Sequence, residues 1–317
     1  TGSADQDNAL GVVSANGSTG VTITSSGSAA LNAAALTIAS VSATGVNDIS
    51  LTTGTFDDVE ISADITGGTA VETASITVGT DSQLTMGQLD MSTSTVLTGT
   101  INVGAGGTIS NDNANTTIVT AEALDVIATS IADLNVTLAA GANASLLLNG
   151  AMTDFDASIG SSALLVLEDS LGAAAAASNF SFSGRGDLDS DVVGTGLSTT
   201  ANSWVLAGST VVFNSSGMST DSDTIAITAA AVSTSANITT GLGADTLTGS
   251  AGNDTLKGNN AADVYIGGDG ADTAILSETV PAADIVQITS AVGGASESVS
   301  VTVTGNDNNK GEDTISG

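Results

Sequence analysis

Between residues 240 and 275 the chain repeats itself every nine residues, and a repeat that short leaves few folds open. Read in nines, the stretch runs TGLGADTLT, GSAGNDTLK, GNNAADVYI, GGDGADTAI. Asp245, Asp254, Asp263 and Asp272 recur without a slip. Leu247, Leu256, Tyr265 and Ala274 come two positions after each Asp. Gly243, Gly252 and Gly270 stand two positions before, with Ala261 the exception. Glycine-rich hexads turn the backbone through left-handed dihedrals and expose carbonyls. The three residues after each Asp suffice for one short strand with its middle side chain inward. Two nonapeptides then make one coil, which stacks Asp245 on Asp263 at one edge and Asp254 on Asp272 at the other. Carboxylates and carbonyls from stacked turns offer the all-oxygen cage that suits Ca²⁺. Without a cation, carboxylates stacked along an edge repel one another.

These residues resemble the nonapeptide G-G-x-G-x-D-x-U-x of RTX (repeats-in-toxin) proteins, where U is a large apolar residue. The resemblance covers about 36 of 317 residues in four phased copies. It implies a calcium-filled parallel β-roll with Ca²⁺ as cofactor. The implied ligands are Asp245, Asp254, Asp263 and Asp272, with Gly243, Gly252, Gly270, Asn260 and Asp269 in the turns. The third repeat departs from the pattern, since Asn259 and Ala261 replace glycines; a distorted site between it and the first repeat is expected. Ala274 is a poor U residue and is expected to end the roll.

Charge narrows the partners. The formal net charge is −31, and the basic residues are only Arg185, Lys257 and Lys310. Nucleic acid is excluded as a partner, because phosphate binding needs clustered Lys and Arg. A bare anionic membrane is excluded for the same reason, and multivalent cations are the expected counterions. Such charge can signal disorder. Here 41% of residues are hydrophobic and only 2% aromatic, which points instead to thin β-structure with small side chains. No cysteine is present, so disulfides and thiolate metal sites are absent. No basic n-region opens the chain, and no run of about 18 apolar residues occurs, so membrane insertion is not expected.

Five segments are expected. Residues 1–35 form an N-terminal segment, with a helical turn over Ala29 to Ala35. Residues 36–167 carry short alternating pieces such as Ile49 to Leu51, Ile76 to Val78 and Ile101 to Val103, which read as strands. Residues 168–235 add a short Ala-rich helix at Ala173 to Ala177, an acidic loop and further strands. Residues 236–276 form the β-roll. Residues 277–317 hold strands and a repeat-like end, Gly311 to Ile315, out of the nine-residue phase. The fold class is all-β, an irregular parallel β-solenoid followed by the RTX β-roll. Tandem β-sandwich domains plus β-roll are the alternative. Very short segments and rare hairpin dipeptides favour the solenoid.

Outside the repeats, Asp187, Asp189 and Asp191 have the D-x-D-x-D spacing of calcium loops and read either as a metal site or as a solvated acidic loop. Asp5 with Asp7 and Asp57 with Asp58 are smaller acidic clusters that could bridge two copies of the chain through an ion. Arg185-Gly186-Asp187 spells the integrin tripeptide, which three residues in a Gly-rich loop produce by chance. Without His or Cys there is no Ser-His-Asp triad, zincin motif or thiol nucleophile. A carboxylate-pair glycosidase needs sugar-stacking aromatics, and only five Phe, one Trp and one Tyr are available. The chain is therefore expected to be no enzyme.

Small polar strands joined to an RTX block also resemble RTX-type bacterial surface-layer proteins. That resemblance implies an extracellular structural protein of the bacterial cell surface, exported by type I secretion. It would assemble with itself into a lattice or filament, with Ca²⁺ as the glue. The alternative is a calcium-dependent adhesin or biofilm-matrix protein that binds a glycan or host surface; cell-surface polysaccharide is a further candidate partner.

Overall fold

The structure is a computed structural model of the chain. It describes residues 8–15, 20–25, 35–43, 48–55, 57–61, 65–67, 73–86, 89–91, 97–105, 107–111, 124–167, 170–171, 177–185, 187–190, 201–218, 224–276, 282–287, 298–303 and 314–316. Among these residues every regular element is a β-strand. No helix among them is long and apolar enough to cross a membrane. The chain divides into two compact units, residues 1–168 with 186–188, and residues 169–185 with 189–317. Each is a parallel β-solenoid, whereas the sandwich alternative would need antiparallel ladders.

In the first unit, Asp48–Thr52 pairs with Thr73–Val78, and that strand with Leu97–Val103. Asp58–Ile61 pairs with Gln83–Met86, and that with Thr108–Asn111. Ile65–Gly67 pairs with Leu89–Met91. One coil thus carries three strands and takes 25 residues, the separation of Asp48 from Thr73, whose hydroxyl donates to the Asp48 carboxylate. Alternation along each strand turns one residue in two inward. Leu51, Ile76, Ile101 and Val136 therefore stack in register as a buried column. Each such side chain contributes about 1.5–3 kcal/mol on burial.

The turns of this unit are closed by packing. Gly54, Gly79 and Gly104 follow one another at 25-residue steps, and a Cβ on Gly79 would overlap the Gly54 carbonyl. Beside them Asp57 is buried. Its Oδ2 accepts hydrogen bonds from the Gly54 N–H and the Ser25 hydroxyl, each at 2.8 Å. Its own N–H donates to Ser82 Oγ at 3.0 Å, and that hydroxyl donates to the Gly54 carbonyl at 2.7 Å. Asp57 is thus an internal turn clamp and is not available to bridge two copies of the chain. Burial, then the charge on Asp57, holds the Asp58 carboxyl above its ordinary value.

The second unit is organised around two inward columns. Trp204, Ile227, Leu247, Tyr265 and Val286 form one. Phe180, Phe213, Ile238, Leu256 and Ala274 form the other. Along the second column the step falls from 33 residues (Phe180 to Phe213) to 25 (Phe213 to Ile238), and then to 18 from Ile238 onward. Along it the inward residue changes from Phe to Ile and Leu and then to Ala, while the first column buries Tyr265 in an 18-residue coil. The wide coils pack their aromatics together, with Phe213 ring centroids 5.2 Å from Phe182 and 5.8 Å from Trp204.

Three local expectations change. Ala274 does not end the parallel stacking: it is buried, and its strand Ala271–Leu276 pairs in parallel with Ser298–Val303. Ala177 opens the strand Ala177–Gly184 instead of closing a helix, and Ala35 opens the strand Ala35–Ala43. Parallel stacking on a neighbouring coil overrides the helix propensity of Ala in both. Residues 29–34 and 173–176 lie outside the described residues.

Candidate metal centre

The short strands Thr246–Thr248, Thr255–Lys257 and Val264–Ile266 each bury one middle residue, Leu247, Leu256 or Tyr265. Each is preceded by a buried aspartate, Asp245, Asp254 or Asp263, and the buried Asp272 is the second residue of the fourth repeat's strand, Ala271–Leu276. The aspartates form two ladders. On one edge Asp245 Oδ1 accepts the Ile225 N–H at 2.8 Å, and Asp263 Oδ1 accepts the Asp245 N–H at 2.8 Å. On the other, Asp254 Oδ1 accepts the Ala236 N–H at 2.6 Å, and Asp272 Oδ1 accepts the Asp254 N–H at 3.0 Å. The partners are 18 residues apart in all but the first case, where the gap is 20. Each carboxylate therefore reaches back one coil and holds the backbone of the aspartate, or of its equivalent, on that coil. Thr224–Thr239 supplies the base for both edges.

Glycine makes room for the carboxylates. A Cβ on Gly249 would meet Asp254 Oδ2, one on Gly258 would meet Asp263 Oδ2, and one on Gly267 would meet Asp272 Oδ2. Each Asp thus occupies the space of a side chain missing five positions earlier. Gly252 packs on the Thr234 carbonyl, and Gly270 on the Gly252 carbonyl, so the turn carbonyls also stack coil on coil. Ser250 holds Asp254 further, its N–H donating to Oδ2 at 2.5 Å and its hydroxyl to Oδ1 at 2.8 Å.

The third repeat keeps the turn geometry despite its missing glycines. Asn259 (φ 71°) and Ala261 (φ 78°) take the left-handed conformation that Gly268 (φ 94°) and Gly270 (φ 127°) take one repeat later. Asn tolerates this region, and its side-chain amide donates to the Thr240 carbonyl. Ala does so only at a cost of about 1–2 kcal/mol. Ala261→Gly relieves that cost, offset in part by about 0.5–1 kcal/mol of added chain entropy. A net gain of roughly 0.5–1 kcal/mol is expected in urea unfolding of the calcium-loaded protein. An unchanged or lower midpoint would show that the turn carries no strain. Tyr265 adds a polar contact: its phenol oxygen accepts the Gly258 N–H at 3.0 Å and donates to Asp263 Oδ2 at 3.4 Å. Burial, then the charges on Asp263 and Asp284, pushes this phenol well above the ordinary tyrosine range.

The other sequence-derived candidates fall as follows. Gly243 is buried, Asn260 half-buried and Asp269 exposed, with the Asp269 N–H donating to the Ser250 carbonyl at 3.2 Å. Asp187 and Asp189 lie in the strand Asp187–Ser190. Asp191, Asp5 and Asp7 lie outside the described residues. One ladder residue escaped the sequence reading. Asp284 is buried, and its Oδ1 accepts the Asp263 N–H at 2.9 Å across 21 residues. The signal was the local match of Ala282-Ala283-Asp284-Ile285 to Ala261-Ala262-Asp263-Val264.

The donor set is oxygen throughout, carboxylate and turn carbonyl, which fits a hard cation. Among the described residues no three Asp or Glu side chains gather as a cage, so carbonyls must complete the ligand set. Buried carboxylates in file need positive charge, and a chain with three basic residues has little of its own. Asp245 with Asp263 and Asp254 with Asp272 would hold Ca²⁺ beside the stacked turn carbonyls. The bound ion supplies the charge that lets like carboxylates stack.

Fold and site together define a carboxylate-laddered, calcium-binding parallel β-roll. Residues 239–274 match the RTX calcium-binding nonapeptide repeat in four copies. RTX nonapeptide repeats bind calcium, and they are typical of proteins that bacteria secrete. Comparisons with curated proteins and with solved structures returned no significant match.

Proposed function

We propose that this is a secreted, non-enzymatic structural protein that folds with calcium and assembles with itself on the bacterial cell surface, as a lattice or filament. The observation that carries the reading is the pair of buried aspartate ladders in a chain of net charge −31. Two copies of such a chain repel, and three basic residues cannot make many cross-chain ion pairs. Monovalent salt screens the repulsion but supplies no attraction at contact. A divalent ion shared by carboxylates of two copies does supply it. Solenoid coils also end in strands whose outer edges can pair with a neighbour. The absence of His and Cys from the sequence and the scarcity of aromatics support a non-enzymatic role.

Sedimentation at fixed ionic strength tests this, comparing millimolar Ca²⁺ with Na⁺, with micrographs of the pelleted material. Calcium-specific growth into ordered sheets or fibres is expected. Soluble monomers in calcium that bind glycan or cells would favour the adhesin reading. Equal association in both salts would remove the calcium-bridged assembly.

A further inference from the structure

We propose that Asp284 is a third rung of the ladder that Asp245 and Asp263 form, and that the calcium-coupled fold runs on through residues 282–287 instead of ending with the fourth repeat. The proposal rests on calcium binding by the four repeats and concerns residues outside them. Asp284 repeats the bonding of the matched aspartates point for point. Its Oδ1 accepts the N–H of Asp263 at 2.9 Å, as Asp263 Oδ1 accepts that of Asp245 at 2.8 Å. The next residue, Ile285, donates its N–H to the Asp263 carbonyl at 2.8 Å, as Val264 does to the Asp245 carbonyl at 2.8 Å. The strand Ile285–Gln287 pairs in parallel with Val264–Ile266, and Val286 lies buried over Tyr265 in the inward column. The step is 21 residues instead of 18, which takes Asp284 out of the nine-residue phase but not out of the ladder.

The consequence is positional. Asp263 is held from above by Asp284 through its N–H, and it holds Asp245 below through Oδ1. An aspartate held at its backbone N–H and at Oδ1 presents its second oxygen in one orientation. Removing the upper contact releases the Asp263 backbone and loosens that orientation, as loss of an outer-shell partner does at other metal sites. Asp284 is thus a positioning residue for the column that Asp263 shares with Asp245.

The test uses the full chain. Peptide-level hydrogen exchange with calcium and with chelator reads residues 282–287, with residues 264–266 as the internal control for the calcium response. Protection of 282–287 that is gained with calcium together with the control is expected. Equal exchange of 282–287 in both conditions, while the control responds, overturns the proposal. Calcium titration of Asp284→Ala is expected to show about tenfold weaker binding. Asp284→Asn keeps an acceptor for the Asp263 N–H and is expected to restore most of that loss. A calcium titration of Asp284→Ala that matches the unaltered chain, or an Asp284→Asn as weak as the alanine variant, overturns the positioning role.

Discussion

Chelating calcium is expected to unfold residues 224–276 while the first unit keeps its slow-exchanging amides. The repeat coils bury one middle side chain per short strand, which is little core of their own. Their turns bury four aspartates instead, Asp245, Asp254, Asp263 and Asp272. With calcium present, each occupied site adds about 2.7 kcal/mol at a hundredfold excess over its dissociation constant. Two such sites already equal the lower end of ordinary domain stability, about 5 kcal/mol. Without calcium the same carboxylates face each other in file, and burying an uncompensated charge costs several kcal/mol. Binding free energy is then folding free energy. The first unit has a different balance, since columns of buried apolar side chains such as Leu51, Ile76 and Ile101 stack in register. Hydrogen exchange in calcium and in EDTA checks this. Full protection of 246–248 and 264–266 in chelator would sink it.

The second large effect is expected at Asp263, the best-connected rung. It is fully buried, accepts the Asp245 N–H, donates its own N–H to Asp284 and receives the Tyr265 hydroxyl. Asp263→Ala leaves the buried Asp245 N–H without its acceptor, at a cost of about 1–3 kcal/mol. It also removes one of the two carboxylates that would hold an ion on that edge. A total loss of about 3–5 kcal/mol in calcium is expected, the range for breaking a buried charge pairing. Asp263→Asn separates the two parts. It keeps the shape and an oxygen acceptor but not the charge. In chelator it should be more stable than the unaltered chain, because one repelling carboxylate is gone. In calcium it should be less stable, because the ion loses a charged ligand. Urea unfolding of both variants in calcium, and the exchange protection of 246–248 and 264–266 that each retains in EDTA, read the two signs. The same shift in both conditions would mean that Asp263 acts in folding alone.

Self-association and the Asp284 rung are read by different measurements, so they can fail separately. Loss of assembly with an intact calcium response would leave the ladder standing. A ladder that ends at Asp263 would leave assembly untouched.

What the amino-acid sequence determined by itself is the part of the fold in which every contact repeats at one short, constant step. Asp245, Asp254, Asp263 and Asp272 come nine apart, so two repeats must close one coil, and the ladder partners 18 apart follow from that. All-oxygen ligation was legible too, because Asp and turn glycine recur while His and Cys are missing. The first unit was legible only as short strands. Its 25-residue coil is marked by Gly54, Gly79 and Gly104, but Asp57, Ser82 and Gly107 differ at the next turn, and Ile, Leu and Val interchange inside. Packing fixes that register where residue identity does not. Only the tertiary structure decided where the roll stops. Ala274 looks too small to continue the stack, yet it is buried and its strand pairs with Ser298–Val303. Asp284 and the strand Thr314–Ser316 miss the nine-residue phase, yet both stack in register. A turn can lengthen by a few residues without moving the strands it joins, so the period is lost in the sequence and kept in space.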